Sequence, residues 1–337
     1  MQFDHREVLA AAKVHIAVAM GAQPSRPHPL ADSISLRDIC YALGHKVRPQ
    51  LSHEQDNVVR ARGMATADFS RLLAEGATVP TVIAYDKQAE HNQFAASVEV
   101  IDFKPTNFPA LDNDFSLSPL MEGSEMRRGT ANLVTGAAST VLTTYAKAIE
   151  ISREAILADQ TEAIRSVFGT LGTNVARLEA RLIASCLEAN AAMDDGQPAF
   201  HADYGNLLVS TYSATAFGVA ASMLRTQLTS SGQRADLRAQ FMVCAPDLEY
   251  AAQQSMFQAG LDIQVVVLAN LPAGRWYVLA DPLASPTIAV LRLRGEKRPV
   301  RVEEKKRPLN TDGTWVQVSA DLGTTILSRV GIVRCGA

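Results

Sequence analysis

Between Ile164 and Cys186 the apolar residues Ile164, Val167, Phe168, Leu171, Val175, Leu178, Leu182 and Cys186 recur at steps of three and four. That spacing places them on one face of a helix. Arg165, Arg177, Glu179, Arg181 and Glu188 fall off the stripe. A helix of ~27 residues would be about 40 Å long at 1.5 Å per residue. Helices in globular domains average about 11–12 residues, so few architectures have room for this one. Gly169 and Gly172 are the positions where it is expected to bend.

The rest of the composition narrows the class. The chain has 337 residues, enough to bury a sizeable core without a disulfide or metal staple. Its 32 basic and 35 acidic residues give a net charge of -3, which is not the balance of a dedicated nucleic-acid binder. Cys40, Cys186, Cys244 and Cys335 form no CxxC pair, which suits a reducing compartment and gives no metal signature. No apolar run reaches the ~18 residues needed to span a bilayer. Asp4, His5, Arg6, Glu7, Lys13 and His15 interrupt the first apolar stretch, so no signal peptide is expected there.

Read along the chain, residues 1–22 suggest a helix with Val8, Leu9, Ala12, Ile16 and Ala19 on one stripe. Pro24, Pro27 and Pro29 then make an extended stretch. A short helix is expected over 33–44, closing at Gly44, and another over 66–76, capped by Thr66 and ended by Gly76. From about 79 helical periodicity fades. Long strands are expected at Phe94–Phe103 and Ser139–Ile151, flanking a polar span with Glu122, Glu125, Arg127 and Arg128. Such a hairpin cannot bury itself and would lie on a neighbour or in solvent.

Ser152 is a candidate N-cap for a short helix before the long one. Asp194-Asp195-Gly196-Gln197-Pro198 reads as a turn. A helix over 213–229 leads into alternating elements: strand 240–245, helix Pro246–Gln258, then strands 263–269, 275–280 and 287–293. Pro246 at its start and Gly260 past its end fit the usual asymmetry of helix termini. Trp315–Val318 and Thr325–Val333 read as final strands.

The sequence holds no GxxxxGK[ST], HExxH or GxSxG, and no GxGxxG after a strand. Six of the seven histidines lie at or before His91. The seventh, His201, could ligate a metal with Asp203, but no third ligand follows at a suitable spacing, so a structural loop is preferred. Asp194 and Asp195 are explained by their turn. Between Arg292 and Arg307 stand eight Lys or Arg and three Glu. A DNA or subunit contact is one reading and a solvated surface, the preferred one, is the other. No catalytic residue, metal ligand or cofactor is assigned.

Six local segments resemble one family. Thr66-Ala67-Asp68-Phe69 with Leu72-Leu73-Ala74, Asp102-Phe103-Lys104 and Glu122-Gly123-Ser124-Glu125 are three of them. The others are Ile151-Ser152-Arg153-Glu154-Ala155-Ile156-Leu157-Ala158-Asp159, Ala199-Phe200 with Gly205-Asn206-Leu207, and Trp276-Tyr277-Val278-Leu279-Ala280-Asp281-Pro282. In this order they are similar to the Mu-like major head subunit group of tailed bacteriophages. Gln160 and Tyr204 depart from that group, which often has an acid and a histidine there.

The resemblance implies an α+β Hong Kong 97-like capsid fold with an N-terminal arm, an extended β-hairpin loop, a long spine helix and a compact α/β axial domain. The implied division is an arm at 1–65, a connection at 66–98, the extended hairpin at 99–150, a peripheral domain with the spine helix at 151–207, the axial domain at 208–293 and return strands at 294–337. It implies a structural protein, not an enzyme, that assembles with itself into pentamers and hexamers of an icosahedral shell. Its partners would be a portal and decoration or scaffold proteins. The shell would enclose double-stranded DNA without sequence-specific binding, and a mild negative charge suits a container that must release it. The implied location is the virion, with assembly in the host bacterial cytoplasm and any maturation protease on another chain. By their charges, Glu122, Glu125, Arg127 and Arg128 are candidate inter-subunit contacts, with a solvated loop tip as the other reading. An encapsulin-like compartment and a hydrolytic α/β enzyme are the alternatives; packaged DNA, protein cargo or a nucleophile–base set would separate them.

Overall fold

The computed structural model describes residues 5–23, 28–47, 56–113, 131–229, 232–305 and 313–336. Its first four helices are α1 (His5–Ala19), α2 (Leu36–Val47), α3 (Asp56–Met64) and α4 (Ala67–Gln88). Thr66 opens α4 as expected, its side chain accepting from the Phe69 N–H at 3.3 Å. The helix does not stop at Gly76. It continues through Pro80 to Gln88, where fading periodicity suggested none. Gly76 is a crossing point: a Cβ there would lie 2.4 Å from Ile16 Cγ2 of α1. Gly44 is likewise interior to α2, with its missing Cβ against the Val59 carbonyl. Both glycines permit close helix approach where C-caps were expected.

Strand β1 is Ala96–Val100, shorter than the expected run to Phe103. Strands β2 (Thr106–Asn113) and β3 (Ala131–Thr140) form the antiparallel hairpin, and β4 (Thr143–Ser152) follows. The strand expected over 139–151 is therefore divided at 141–142. Ser152 accepts from the Ala155 N–H and opens α5 (Arg153–Leu157). Helix α6 spans Thr161–Ala189, 29 residues, and carries the long stripe. After it come β5 (Leu207–Leu208), α7 (Ala214–Thr226), β6 (Ala239–Cys244), α8 (Glu249–Ala259), β7 (Gln264–Val267), β8 (Trp276–Ala280) and β9 (Ile288–Leu293). Ser213 caps α7, a 3-10 turn opens at Pro246, and Gly260 ends α8 in the left-handed conformation. The last strands are β10 (Val300–Glu304), β11 (Gly313–Leu322), β12 (Thr324–Ile326) and β13 (Ile332–Cys335). Where one strand was expected over 325–333 there are two, in different sheets.

The chain divides into two units. The first comprises Met1–Ala89, Thr144–Arg177 and Lys297–Asp321. Its core joins Ala12, Ile16, Leu36, Ile39, Phe69, Leu73, Tyr85, Ile156, Ile164, Phe168, Val316 and Val318. The described part of 1–65, expected as an arm, thus contributes α1 and α2 to this core. Asp159, in the left-handed conformation (φ 55°), accepts from the Leu36 N–H at 3.0 Å and satisfies the start of α2. The sheet of this unit runs β10-β11-β4.

The second unit comprises Glu90–Thr143, Leu178–Glu296 and Leu322–Ala337. Its five-stranded sheet runs β5-β13-β8-β6-β7 and a smaller one runs β1-β9-β12. The expected series of strands over 240–293 is therefore split, since β9 leaves the sheet of β6, β7 and β8. One side of the larger sheet is covered by α7 and α8, through Phe217, Leu224, Ala252 and Met256 against Met242, Trp276, Val278 and Val333. Phe94, Ile183, Leu187, Phe200, Val243, Tyr277, Leu279, Ile288 and Ile332 form a second cluster. Helix and sheet together make the fold α+β.

The two glycines of α6 separate cleanly. A Cβ on Gly172 would lie 2.0 Å from the Thr81 carbonyl oxygen of α4, whereas one on Gly169 meets nothing within 4 Å. Gly172→Ala should therefore destabilise the unassembled subunit by ~1–3 kcal/mol through overpacking. Gly169→Ala should stabilise it by ~0.4–1 kcal/mol by restricting the unfolded chain. Denaturant unfolding of both variants beside the parent checks the pair of signs.

Candidate functional site

Glu179 was placed off the stripe of α6 by its charge, yet it is fully buried (0% exposed). Carboxylates are almost never fully buried unless paired. Its partners come from distant positions. His91, in the 3-10 turn after α4, has Nε2 2.9 Å from Glu179 Oε2. Arg292 of β9 donates to Oε1 through its guanidinium. Burial alone would raise the Glu179 carboxyl. The His91 hydrogen bond and the charge and hydrogen bond of Arg292 outweigh it and hold the group at about 2. An ionised carboxylate can only accept, so Nε2 carries the proton of this contact. A carboxylate held that low is a poor general base at neutral pH, and the cluster is an internal tie of the second unit.

The other expected sites are ties as well. Asp195 lies in its turn with Gly196 at φ 75°. It accepts a forked pair from Arg329 at 2.5 and 2.7 Å, which holds its carboxyl at about 2. His201 Nδ1 accepts from the Asp203 N–H at 3.3 Å, and both side chains are exposed. Among the described residues no group of three or more His, Cys, Asp or Glu could hold a metal. Asn206, in the Gly-Asn-Leu segment, is buried. It donates to the Ala199 carbonyl at 2.8 Å and accepts from the His201 N–H at 2.9 Å. Tyr277, in the Trp-Tyr segment, donates to Glu188 at 2.6 Å, and Glu188 also pairs with Arg275 and Arg334. Burial raises the Cys40 and Cys244 thiols to about 12, so neither is a thiolate nucleophile at neutral pH.

Glu122, Glu125, Arg127 and Arg128 lie outside the described residues. The strands leading to them are described. Asp112 and Asn113 of β2 face Asn132 and Ala131 of β3. The basic run from Arg292 is largely the solvated face expected of it: Arg294, Lys297, Arg298 and Lys305 are exposed and Arg292 is buried. Besides Arg292, Arg298 makes a forked contact with Asp86 at 2.8–2.9 Å, and Arg301 pairs with buried Asp321. Lys306 and Arg307 lie outside the described residues.

Two surfaces are uncovered, one anticipated for the strands of the hairpin and one, on α8, that sequence reading missed. Strand β4 is exposed on both faces from Thr143 to Ala148. On α8, Tyr250 is 77% exposed and Phe257 88%, seven residues apart and so on one stripe. Large aromatic side chains left bare together mark a surface that another molecule covers. The i, i+7 spacing was the available signal, hidden because Ala252 and Met256 mark the buried face of the same helix.

The buried cluster makes two measurable demands. Glu179→Gln removes the carboxylate that pairs with Arg292 and accepts from His91, which should cost the unassembled subunit ~3–5 kcal/mol in denaturant unfolding. The pH dependence follows from the depressed value. Stability from Glu179 is fully present above its unfolded value of 4.5 and is lost as pH falls toward about 2. Between those limits the melting temperature of Glu179→Gln should fall less steeply than that of the parent. Parallel slopes would show that the carboxylate is not held by this pairing.

No described helix is long and apolar enough to cross a membrane. No curated protein matches the chain. Among solved structures it is similar to the capsid of the cyanophage P-SCSP1u, at 12% identity and TM-score 0.47 over 74% of this chain and 88% of that one. It is also similar to a virus-like particle from Pyrococcus furiosus, at 11% identity and TM-score 0.47 over 77% and 98%. The holo-SrpI encapsulin complex from Synechococcus elongatus PCC 7942 gives 10% and 0.44 over 72% and 84%. These likenesses are too distant to decide anything. A family model described as phage capsid protein matches residues 136–335, more than half of the sequence. On that match the chain belongs to the phage capsid protein family.

Proposed function

We propose that the chain is the major capsid subunit of a tailed bacteriophage, of the Hong Kong 97 type, which self-assembles into the icosahedral head around double-stranded DNA. The match of residues 136–335 to the phage capsid protein family carries this reading. Support comes from surfaces that a lone subunit has no use for, the doubly exposed β4 and the bare aromatics of α8. The ionisable groups of the expected sites serve as internal ties, which supports a structural role without catalysis. In this reading 208–293 supplies the axial domain, 151–207 and 294–337 the peripheral domain, and 99–150 the extended hairpin. Pentamers and hexamers close the shell in the host cytoplasm, with a portal and scaffold or decoration proteins as partners. Expression of the full chain, followed by sedimentation and electron microscopy, should give particles of megadalton mass. A subunit that stays monomeric at high concentration under every condition tried would overturn the reading.

The hairpin tip supplies a second expectation. Glu122 and Glu125 are followed at once by Arg127 and Arg128, so acids and bases stand close together, as partners across a subunit contact would. A single exposed pair contributes only ~0–1 kcal/mol, but a shell repeats each contact around its whole surface. Arg127→Glu with Arg128→Glu should change the melting of unassembled subunits by no more than about 0.5 kcal/mol. It should still lower the yield of closed particles on gradients as salt is raised. Parent-like yields across the salt range would mean that the tip is solvated.

A further inference from the structure

The two helices on the larger sheet of the second unit present unlike outer faces. Helix α8 packs on β7, one edge of the order β5-β13-β8-β6-β7, while α7 packs on β13 and β8 toward the other edge. The α8 side carries exposed Tyr250 and Phe257, with exposed Leu261 past its end and the acids Glu249 and Asp262 alongside. The α7 side carries exposed Val219 and, in the loop after it, exposed Leu228, whose bridge partner is Arg234. That loop is anchored beside β13: Gln227 donates to the Ile332 carbonyl at 3.0 Å and accepts from the Gly331 N–H at 2.8 Å. Arg225 there is paired with Asp236. Arg234 and Arg238 are exposed and make no ion pair among the described residues. One end of the sheet is thus apolar with an acidic border, the other apolar with a basic border.

We infer that the α8 face of one copy docks on the face of the next that carries Val219, Leu228, Arg234 and Arg238, a head-to-tail joint between copies of this chain that centres on Phe257 and Tyr250. The inference rests on the shell-subunit reading and assigns the surfaces that meet. Charge decides the arrangement. Two α8 faces brought together would set Glu249 and Asp262 against their own copies, whereas α8 against the other end sets acids opposite Arg234 and Arg238. Different patches meeting in this way make a heterologous contact, which closes into a ring when the rotation permits. Buried aromatics at the centre of such a joint carry most of its energy.

The test uses the full chain and three variants: Phe257→Asp, Arg234→Glu with Arg238→Glu, and the latter carrying also Glu249→Arg and Asp262→Arg. All substitutions are at exposed positions, and circular dichroism and melting confirm folding. The first two variants should each need about tenfold more protein than the parent to assemble, or more. Mixed together they hold one intact joint per pair, so sedimentation should show one-to-one dimers and no closed ring. The third variant, with both charges exchanged, should recover assembly. The inference is overturned if either of the first two assembles like the parent, if only Phe257→Asp fails, which points to α8 pairing with itself, or if the mixture gives no dimer. It is overturned too if the exchanged variant stays as defective as Arg234→Glu with Arg238→Glu. Phe257→Asp particles that form normally would leave α8 to a protein of another kind. A parent that never assembles removes the shell reading itself, which separates that failure from the others.

Discussion

One helix serves two cores, and most of the chain is arranged to satisfy it. Ile164, Phe168 and Ala176 of α6 are buried in the core of the first unit, and Ile183, Ala184 and Leu187 in that of the second. Between these groups the buried row also contains Gly172 and Glu179. Neither packs as an apolar side chain would. Gly172 is buried because the Thr81 carbonyl occupies the space of its Cβ. Glu179 is buried because Arg292 and His91 replace the water it loses. A dehydrated carboxylate would otherwise cost several kcal/mol. Two segments far apart in sequence are therefore bound to a single position on α6. Pairing of this kind is a weak source of net stability, and its removal from one side is what destabilises.

The same logic runs through the described segments that resemble the phage capsid family, whose polar residues serve as local ties. Ser152 and Thr66 cap helices, Asp159 satisfies the start of α2, Asn206 closes its loop, and Tyr277 anchors Glu188. Each makes a hydrogen bond that fixes local structure, and losing a helix cap of this kind costs ~0.5–2 kcal/mol. In a shell the accuracy of the subunit's shape matters, because every error is repeated at every contact.

Local signals were legible where one residue decides the outcome. Thr66, Ser152, Pro246 and Gly260 mark helix ends with the chemistry expected of them. They failed where tertiary packing reversed a local preference. Gly76 and Gly44 resemble helix terminators but are contact points between helices. Pro80 sits inside α4, where its missing N–H would ordinarily break a helix. The visible stripe of α6 named Val167 and omitted Glu179, because hydrophobicity is a poor guide where a charge is paired internally. The His91–Glu179–Arg292 cluster joins positions 88 and 113 residues apart, and no spacing rule reaches across such distances. The apolar face of α8 was hidden for the opposite reason: Tyr250 and Phe257 fit a buried stripe as well as an exposed one.

That uncovered face poses a solubility problem that its borders address. A subunit must remain dispersed while it folds, although it carries aromatic side chains in water. Identical faces would tend to stack on one another, and a stack of α8 on α8 satisfies the apolar term without extending a shell. Glu249 and Asp262 place like charges against that pairing, a repulsive device against the wrong partner. The opposite border, with Arg234 and Arg238, turns the same acids into attraction for the productive partner. Since the charges are exposed, each contributes little, and salt weakens them further. Their effect is on the choice between two modes of contact, where a small difference per copy is sufficient because the choice is made by every subunit that joins. The apolar residues supply the affinity and the charges select the register, which is why the two kinds of residue stand together on both ends of the sheet.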